Sequence, residues 1–266
     1  MKTDSPPSKD YSSDELMVVE AARHINDGEM VLAGTGMPLI AITLAKKSHA
    51  PHLCAVVETG IIDPELLPSP ISVSDPRIQY RAVKLGSLRD ALACVLQRGM
   101  IDIGMIGGAQ IDQFANVNST VIGDYAEPRV RFPGSGGGND VASHSKRLLI
   151  ITKHEKRRFP ERVDYITSPG YIDGPDGRRK AGLPTPQQNI TIVTDLCVME
   201  IDKAYGRLKL MALMPGVTLQ RVLDNTIFTP LVAERLAQVE PPSEEYIRIL
   251  REEVDPKRVY FRGGGE

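Results

Sequence analysis

The sequence predicts an α/β protein: a largely parallel open sheet flanked by helices. Short apolar runs alternate with segments whose apolar residues recur at helical spacing, and glycines stand where several of the apolar runs end. A hydrophobic content of 41% over 266 residues is enough for a sizeable core.

Residues 1–11 are rich in Ser, Pro and Lys and read as a flexible N-terminal tail, leaving 12–266 as a single domain. Ser12 and Glu15 stand at capping-box spacing, and Leu16, Val19, Ala22 and Ile25 follow at helical intervals until Gly28 offers a stop. Met30 to Ala33 is a short buried strand, Gly34-Thr35-Gly36 a tight turn, and Pro38 suits the first turn of a helix running to about Ser48. Leu53 to Val57 is a second strand, ended by Glu58-Thr59-Gly60 and followed by an irregular stretch from Pro64 to Pro76. Ser87 caps a helix through Gln97, with Leu88, Ala91, Leu92 and Val95 on one face and Gly99 as its stop.

Ile101 to Ile106 is the next strand and runs directly into Gly107-Gly108. Strands are also expected at Leu148 to Thr152 and Ile190 to Thr194, with a hairpin of Val198 to Ile201 and Leu208 to Leu213 around Lys203 to Gly206. Two helices close the chain, around Thr218 to Leu223 and Ser243 to Glu253. Ligands of such sheets bind beyond the carboxyl ends of strands, where Gly34 to Gly36, Glu58 to Gly60 and Gly107-Gly108 all fall.

The formal net charge of -2 argues against a broad footprint for nucleic acid or an anionic membrane, so small molecules and proteins are the expected partners. Cys54, Cys94 and Cys197 are odd in number and far apart, which suggests neither a disulfide framework nor a zinc site and fits a reducing, cytoplasmic setting. The N-terminus lacks the apolar segment of a secretory signal, and runs such as Leu148 to Ile151 fall far short of the roughly 20 residues of a membrane-spanning helix. His49 and His52 lie close together without an evident third ligand, so no metal is expected.

Gly34-Thr35-Gly36 begins like a dinucleotide fingerprint, but Leu39 stands where the third glycine belongs; a tight turn and a substrate-lining loop both fit it. Gly134-Ser135-Gly136-Gly137-Gly138-Asn139 lacks the Lys-Ser/Thr ending of a phosphate-binding loop, and reads either as a flexible surface loop or as backbone that approaches a ligand closely. The run His154 to Arg158 suits either a phosphate or a solvated, charged loop. Glu58 follows the buried run Cys54 to Val57, which puts a carboxylate at the sheet rim beside small residues. It could cap nearby N–H groups or, partly desolvated, act as a nucleophile.

Seven segments occur in one order: Gly34 to Ile40, Val57 to Gly60, Gly107 to Asp112, Asn116 to Thr120, Gly134 to Gly137, His154 to Phe159, and Thr167 to Gly170. Together the chain resembles, from about Glu15 to Val259, the B-type subunits of the family I CoA-transferases, those of the glutaconate CoA-transferase kind. The resemblance implies the CoA-transferase (NagB/RpiA-like) fold, an A-type partner subunit in a hetero-oligomer, and a coenzyme A thioester as substrate with no tightly bound cofactor. It implies transfer between a glutaconate-like donor and an acetate-type acceptor through a glutamyl-CoA thioester on Glu58, the family's nucleophile position. Gly107 and Gly108 take the oxyanion role, and Gly34, Thr35, Gly36, Thr59, Gly60, Gln110, Gly134, Gly136 and Gly137 line the substrate and CoA pocket.

The chain departs from the family at Ala115, where glycine is common before Asn-Val-Asn, and at Asp140, where a smaller residue is common. The rival expectations are a related acyl-CoA hydrolase or decarboxylase subunit on the same fold, whose members look different at the nucleophile position, and a non-enzymatic ligand-binding or scaffold subunit.

Overall fold

The computed structural model describes residues 5–34, 36–69, 72, 74–185 and 187–261. They form two compact units: the chain up to Met105 together with Glu240 onward, and Ile106–Val239.

In the first unit, helix α1 (Ser13–Arg23) opens on the expected capping box, with Glu15 N–H donating to Ser12 Oγ and Ser12 N–H to the Glu15 carboxylate. It ends at Arg23, before Gly28, whose φ of 79° serves the turn into β1 (Met30–Ala33). Helix α2 (Met37–Lys47) packs against α1. Strands β2 (Cys54–Val57), β3 (Ile61–Ile62), β4 (Lys84–Leu85) and β5 (Ile103–Ile106) join β1 in the order β5-β1-β2-β3-β4. The pairs β5–β1 and β1–β2 are parallel and form the buried centre; β3 and β4 are short antiparallel additions.

Ser87 caps the next helix as expected, sharing reciprocal hydrogen bonds with Asp90. Its body, Asp90–Leu96, has π pitch, so it buries Ala91 and Leu96, five residues apart, and leaves the expected core residue Leu88 56% exposed. The C-terminal helix, Glu244–Ile249, is capped by Ser243 and returns to α1 through Arg251, which donates to both Glu15 oxygens at 2.7 and 3.0 Å. Residues 6–8 are tied to the segment before that helix: Ser8 N–H donates to the Pro242 carbonyl, and Glu244 N–H to that of Pro6.

The second unit begins with two small hairpins, β6 (Gln110–Ile111) with β7 (Val117–Asn118) and β8 (Val121–Gly123) with β9 (Pro128–Arg131). After α3 (Gly138–His144), strand β10 (Arg147–Ile151), helix α4 (Gly177–Lys180), and strands β11 (Asn189–Val193), β12 (Cys197–Asp202) and β13 (Arg207–Leu213) follow. Helix α5 (Leu219–Asp224) leads into β14 (Leu231–Gln238). Strands β10 to β14 lie side by side in chain order, β10–β11 and β13–β14 parallel and the two pairs between them antiparallel. The expected hairpin is β12–β13, turned at Gly206 with φ 62°. Among the described residues no helix is long and apolar enough to cross a membrane.

Candidate functional site

Glu58 occupies the first position of a three-residue hairpin loop. Val57 pairs with Ile61 and Val56 with Ile62, so Glu58, Thr59 and Gly60 alone connect β2 to β3. Gly60 N–H donates to the Val57 carbonyl at 2.9 Å, and Gly60 has φ 102°, the pattern of a tight turn followed by a left-handed glycine. Gly60 is needed twice over, because a Cβ there would also run into the Gly86-Ser87 backbone, and Gly86 N–H donates to the Gly60 carbonyl at 2.9 Å. The carboxylate therefore projects from backbone fixed on both sides. Ala55, Val56 and Val57 are buried, whereas Glu58 and Thr59 are half-buried at the rim.

The register of β2 on β1 pairs Val57 with Ala33, so Glu58 and Gly34 leave neighbouring parallel strands at one level, at the carboxyl edge. Gly34 has no atom of the described residues beyond its chain neighbours within 4 Å of where a Cβ would stand, so packing among them does not demand glycine there. Gly36, with φ 85°, opens α2 ahead of Pro38 without a side-chain cap. Thr35, expected in the pocket, lies outside the described residues.

In the second unit, Gly107-Gly108 follows β5 directly. Gly107 is exposed, and a Cβ on it would meet only the Ile151 carbonyl oxygen at 3.7 Å; a Cβ on Gly108 would collide with Val117. Gln110, expected in the pocket, is tied into the fold. It is 6% exposed, its Oε1 accepts from Asn118 Nδ2 at 2.7 Å and from Asp164 N–H at 3.1 Å, and its Nε2 donates to Asp164 at 3.3 Å. This side chain braces the β6–β7 hairpin.

The same hairpin is built around a buried carboxylate. Asp112 accepts from Phe114 N–H, Asn116 N–H and Asn116 Nδ2 at 3.0 to 3.1 Å; burial pushes its carboxyl above the ordinary range while these donors pull against it. Asn116 Oδ1 accepts from Gly170 and Ile172 N–H, and Asn118 Oδ1 from Thr120 and Val121 N–H. Ala115, directly before Asn116, is fully buried with φ 60°, the left-handed region, which explains why glycine suits the position.

The glycine-rich loop is anchored. Gly134 N–H donates to the Ser119 carbonyl at 3.0 Å, Ser119 Oγ to the Gly134 carbonyl at 2.9 Å, and Asn139 Nδ2 to the Thr167 carbonyl at 2.8 Å. Gly134 and Gly136 have φ of 100° and 50°, while Gly137 is buried at the start of α3.

The run His154 to Arg158 is not the wholly solvated loop that its charges suggest. His154 is 5% exposed, stacks on Phe159 at 4.2 Å between ring centroids, and bonds Thr194 and Thr226 through its two ring nitrogens at 3.1 and 3.0 Å. Burial brings its pKa down to about 4, against a weaker upward pull from Asp195. Cys197 Sγ lies 3.5 Å from His154 Nδ1, but burial pushes this thiol up to about 12, so the pair carries no thiolate chemistry. Arg158 Nη1 donates to the Gly108 carbonyl at 3.2 Å, a contact with no sequence signal.

His49 bonds Tyr246 and the Ile25 carbonyl, whereas His52 pairs with Asp27. Among the described residues no cluster of three or more His, Cys, Asp or Glu side chains could hold a metal, and all three cysteines are free thiols.

Comparison with known proteins finds relatives along nearly the whole chain. The sequence is 37% identical over 263 residues to the B-type subunit of glutaconate CoA-transferase from Acidaminococcus fermentans, covering 95% of this chain and 96% of that one. It is 36% identical over 257 residues to the B-type subunit of 3-oxoadipate CoA-transferase from Pseudomonas knackmussii, covering 96% and 98%. The crystal structure of glutaconate coenzyme A-transferase from Acidaminococcus fermentans superposes with a TM-score of 0.89 at 37% identity, over 96% of this chain and 99% of that chain. The coenzyme A transferase family model matches residues 15–225, and the chain belongs to that family.

Proposed function

We propose that the chain is the B-type subunit of a two-subunit CoA-transferase, with Glu58 as its covalent nucleophile. The observation that carries this reading is a half-buried carboxylate on a three-residue turn at the carboxyl end of a parallel strand, level with Gly34. A Glu58 oxygen attacks the thioester carbon of an acyl-CoA; the C–S bond breaks and CoA leaves as thiolate from an acyl-glutamyl anhydride. The thiolate then attacks the Glu58 carbonyl carbon, releasing the first acid as its carboxylate and leaving a glutamyl-CoA thioester. A second carboxylate attacks that thioester, and the expelled thiolate takes the new acyl group from the resulting anhydride. Glu58 returns as a carboxylate, with no net proton or water consumed.

Each addition places negative charge on a carbonyl oxygen. In this reading, which follows the family resemblance, N–H groups of Gly107 and Gly108 receive it, Gly60 sets the turn under Glu58, and Gly34, Gly36, Gly134, Gly136 and Gly137 keep the pocket wall free of side chains. An A-type subunit supplies the remainder of the site, and the enzyme works in the cytoplasm, where three free thiols stay reduced. The names of both full-length relatives point to dicarboxylic acids, glutaconate and 3-oxoadipate, which supports a dicarboxylate donor with a small acceptor such as acetate.

The test is to co-purify the chain with its A-type partner, incubate with acyl-CoA and no acceptor, reduce with borohydride and map the modified peptide. Modification of Glu58 is expected, with Glu58→Ala losing on the order of 10³-fold or more in kcat. Modification elsewhere, or transfer activity retained in Glu58→Ala, overturns the covalent role. Hydrolysis or decarboxylation without CoA exchange would point to the rival reactions on this fold.

A further inference from the structure

Two consecutive glycines form the most pliable backbone available, yet an oxyanion donor works only if its N–H keeps one direction. Around Gly107-Gly108 the chain supplies that constraint from outside. The Gly108–Ala109 peptide is held at both ends: Arg158 Nη1 and Thr152 Oγ1 donate to the Gly108 carbonyl at 3.2 and 3.4 Å, while Ala109 N–H donates to the Asn118 carbonyl at 2.8 Å. Val117 lies where a Cβ of Gly108 would stand, so the segment is also pressed from the side.

The clamp is itself rigid. Arg158 sits on the tight turn Lys156–Arg158, between buried His154 and Phe159, whose rings stack on each other. Asp195 accepts from His154 N–H at 2.7 Å, and Ile227 N–H donates to the Phe159 carbonyl at 2.9 Å. Thr152, 7% exposed, is fixed by its N–H on the Val193 carbonyl at 3.2 Å. The Arg158 Nε is shared with Glu155 at 3.4 Å, which also takes Arg157 at 2.6 Å.

We propose that Arg158, seconded by Thr152, is a positioning residue for CoA transfer: it holds the Gly108 carbonyl so that the Gly107-Gly108 N–H groups keep their aim. This rests on the oxyanion role given above to those glycines. It also separates Arg158 from the exposed cations Lys156 and Arg157 beside it, which have no such contact with the glycine segment.

The test uses the assembled enzyme carrying Arg158→Ala, Arg158→Lys or Thr152→Val, with kcat and KM measured for acyl-CoA and for acceptor. Arg158→Ala is expected to lose about ten- to a hundredfold in kcat, with KM for acyl-CoA changed by less than about threefold. Millimolar guanidinium restores part of the loss, and Arg158→Lys retains more activity than Ala; a general loss of folding would give neither. Wild-type kcat in Arg158→Ala overturns the proposal. So does a rise in KM for acyl-CoA that disappears when the thioester lacks the 3′-phosphate, since that marks a phosphate ligand. If the Arg158 variants fail to assemble, Thr152→Val decides: a clear fall in kcat supports the clamp, and a kcat within about twofold of wild type overturns it. Borohydride trapping on wild type keeps the two readings apart. No Glu58 adduct sinks the covalent mechanism, whereas an adduct together with undiminished Arg158 variants sinks the clamp alone.

Discussion

Replacing Arg178 by methionine is expected to be among the most destabilising single changes in the second unit. The side chain is fully buried, and all five of its hydrogen bonds end on backbone carbonyls. Nε donates to Thr185 at 2.5 Å, Nη1 to Pro169 and Gly170 at 3.1 and 3.0 Å, and Nη2 to Ala142 and Ser143 at 3.2 Å each. The last two acceptors lie in the final turn of α3, where carbonyls lack helical partners and a cation is favoured. Burial lowers the guanidinium pKa to about 10, so it stays charged at neutral pH. Hydrogen bonds from a charged donor contribute about 1.5–3 kcal/mol each, but desolvating the guanidinium costs several kcal/mol, and methionine recovers part of the packing. The net loss is about 3–5 kcal/mol, or roughly 10–20 °C in melting temperature for a unit of this size. Scanning calorimetry of the assembled protein measures it. Lysine, a single point donor, should lose nearly as much as methionine. A melting temperature within about 2 °C of wild type for Arg178→Met would refute the reasoning, because water would then be satisfying all five carbonyls.

Gly34→Ala should fold normally and yet lower kcat/KM by at least about tenfold, because among the described residues beyond its chain neighbours the Cβ meets no atom, which leaves it to obstruct what binds. Gly60→Ala should instead fail in thermal unfolding assays, since it meets backbone and has φ 102°. Ala115→Gly relieves a left-handed alanine and should raise stability by about 1 kcal/mol, read as a small upward shift in denaturation midpoint; a downward shift counts against the strain. His154, ordinarily near 6.5, is held neutral by a folded pKa of about 4. Its contribution is fully present above pH 6.5 and is lost as pH falls from there through about 4, a total of about 3 kcal/mol. Denaturant titrations of His154→Gln between those limits should therefore show a flatter acid slope than wild type, and parallel slopes would exclude the histidine as the cause.

What could be read from the sequence was what short-range chemistry enforces. Ser12 with Glu15 and Ser87 each cap a helix as the sequence indicates, and the parallel strands around β1 announce themselves as apolar runs with glycines close behind them. Strand β14 was not legible, because Leu231–Gln238 is rich in Leu, Ala, Glu, Arg and Gln, good helix formers overridden by pairing with β13. The hairpins at Gln110–Asn118 and Val121–Arg131 are only a few residues wide and, in the first, depend on the side chains of Asn118 and Gln110, which no periodicity reveals. The position of Glu58 followed from the buried run before it, but the three-residue turn under it required the pairing of β3. Charge hides burial at two places. His154 lies inside the fold although four charged residues follow it, and Arg178 is buried within a run of basic residues whose neighbours face solvent.

The turn beneath Glu58 also limits how this part of the gene can vary. Because side chains alternate faces along a strand, adding or deleting one residue between Val57 and Ile61 would turn β3 over, moving Ile61 from the interior toward water. Substitutions at Thr59 leave that count intact and can be sampled one at a time, whereas a change of length is penalised in folding before chemistry is tested. Homologues aligned through this segment should accordingly vary in letter at the middle residue and be invariant in number.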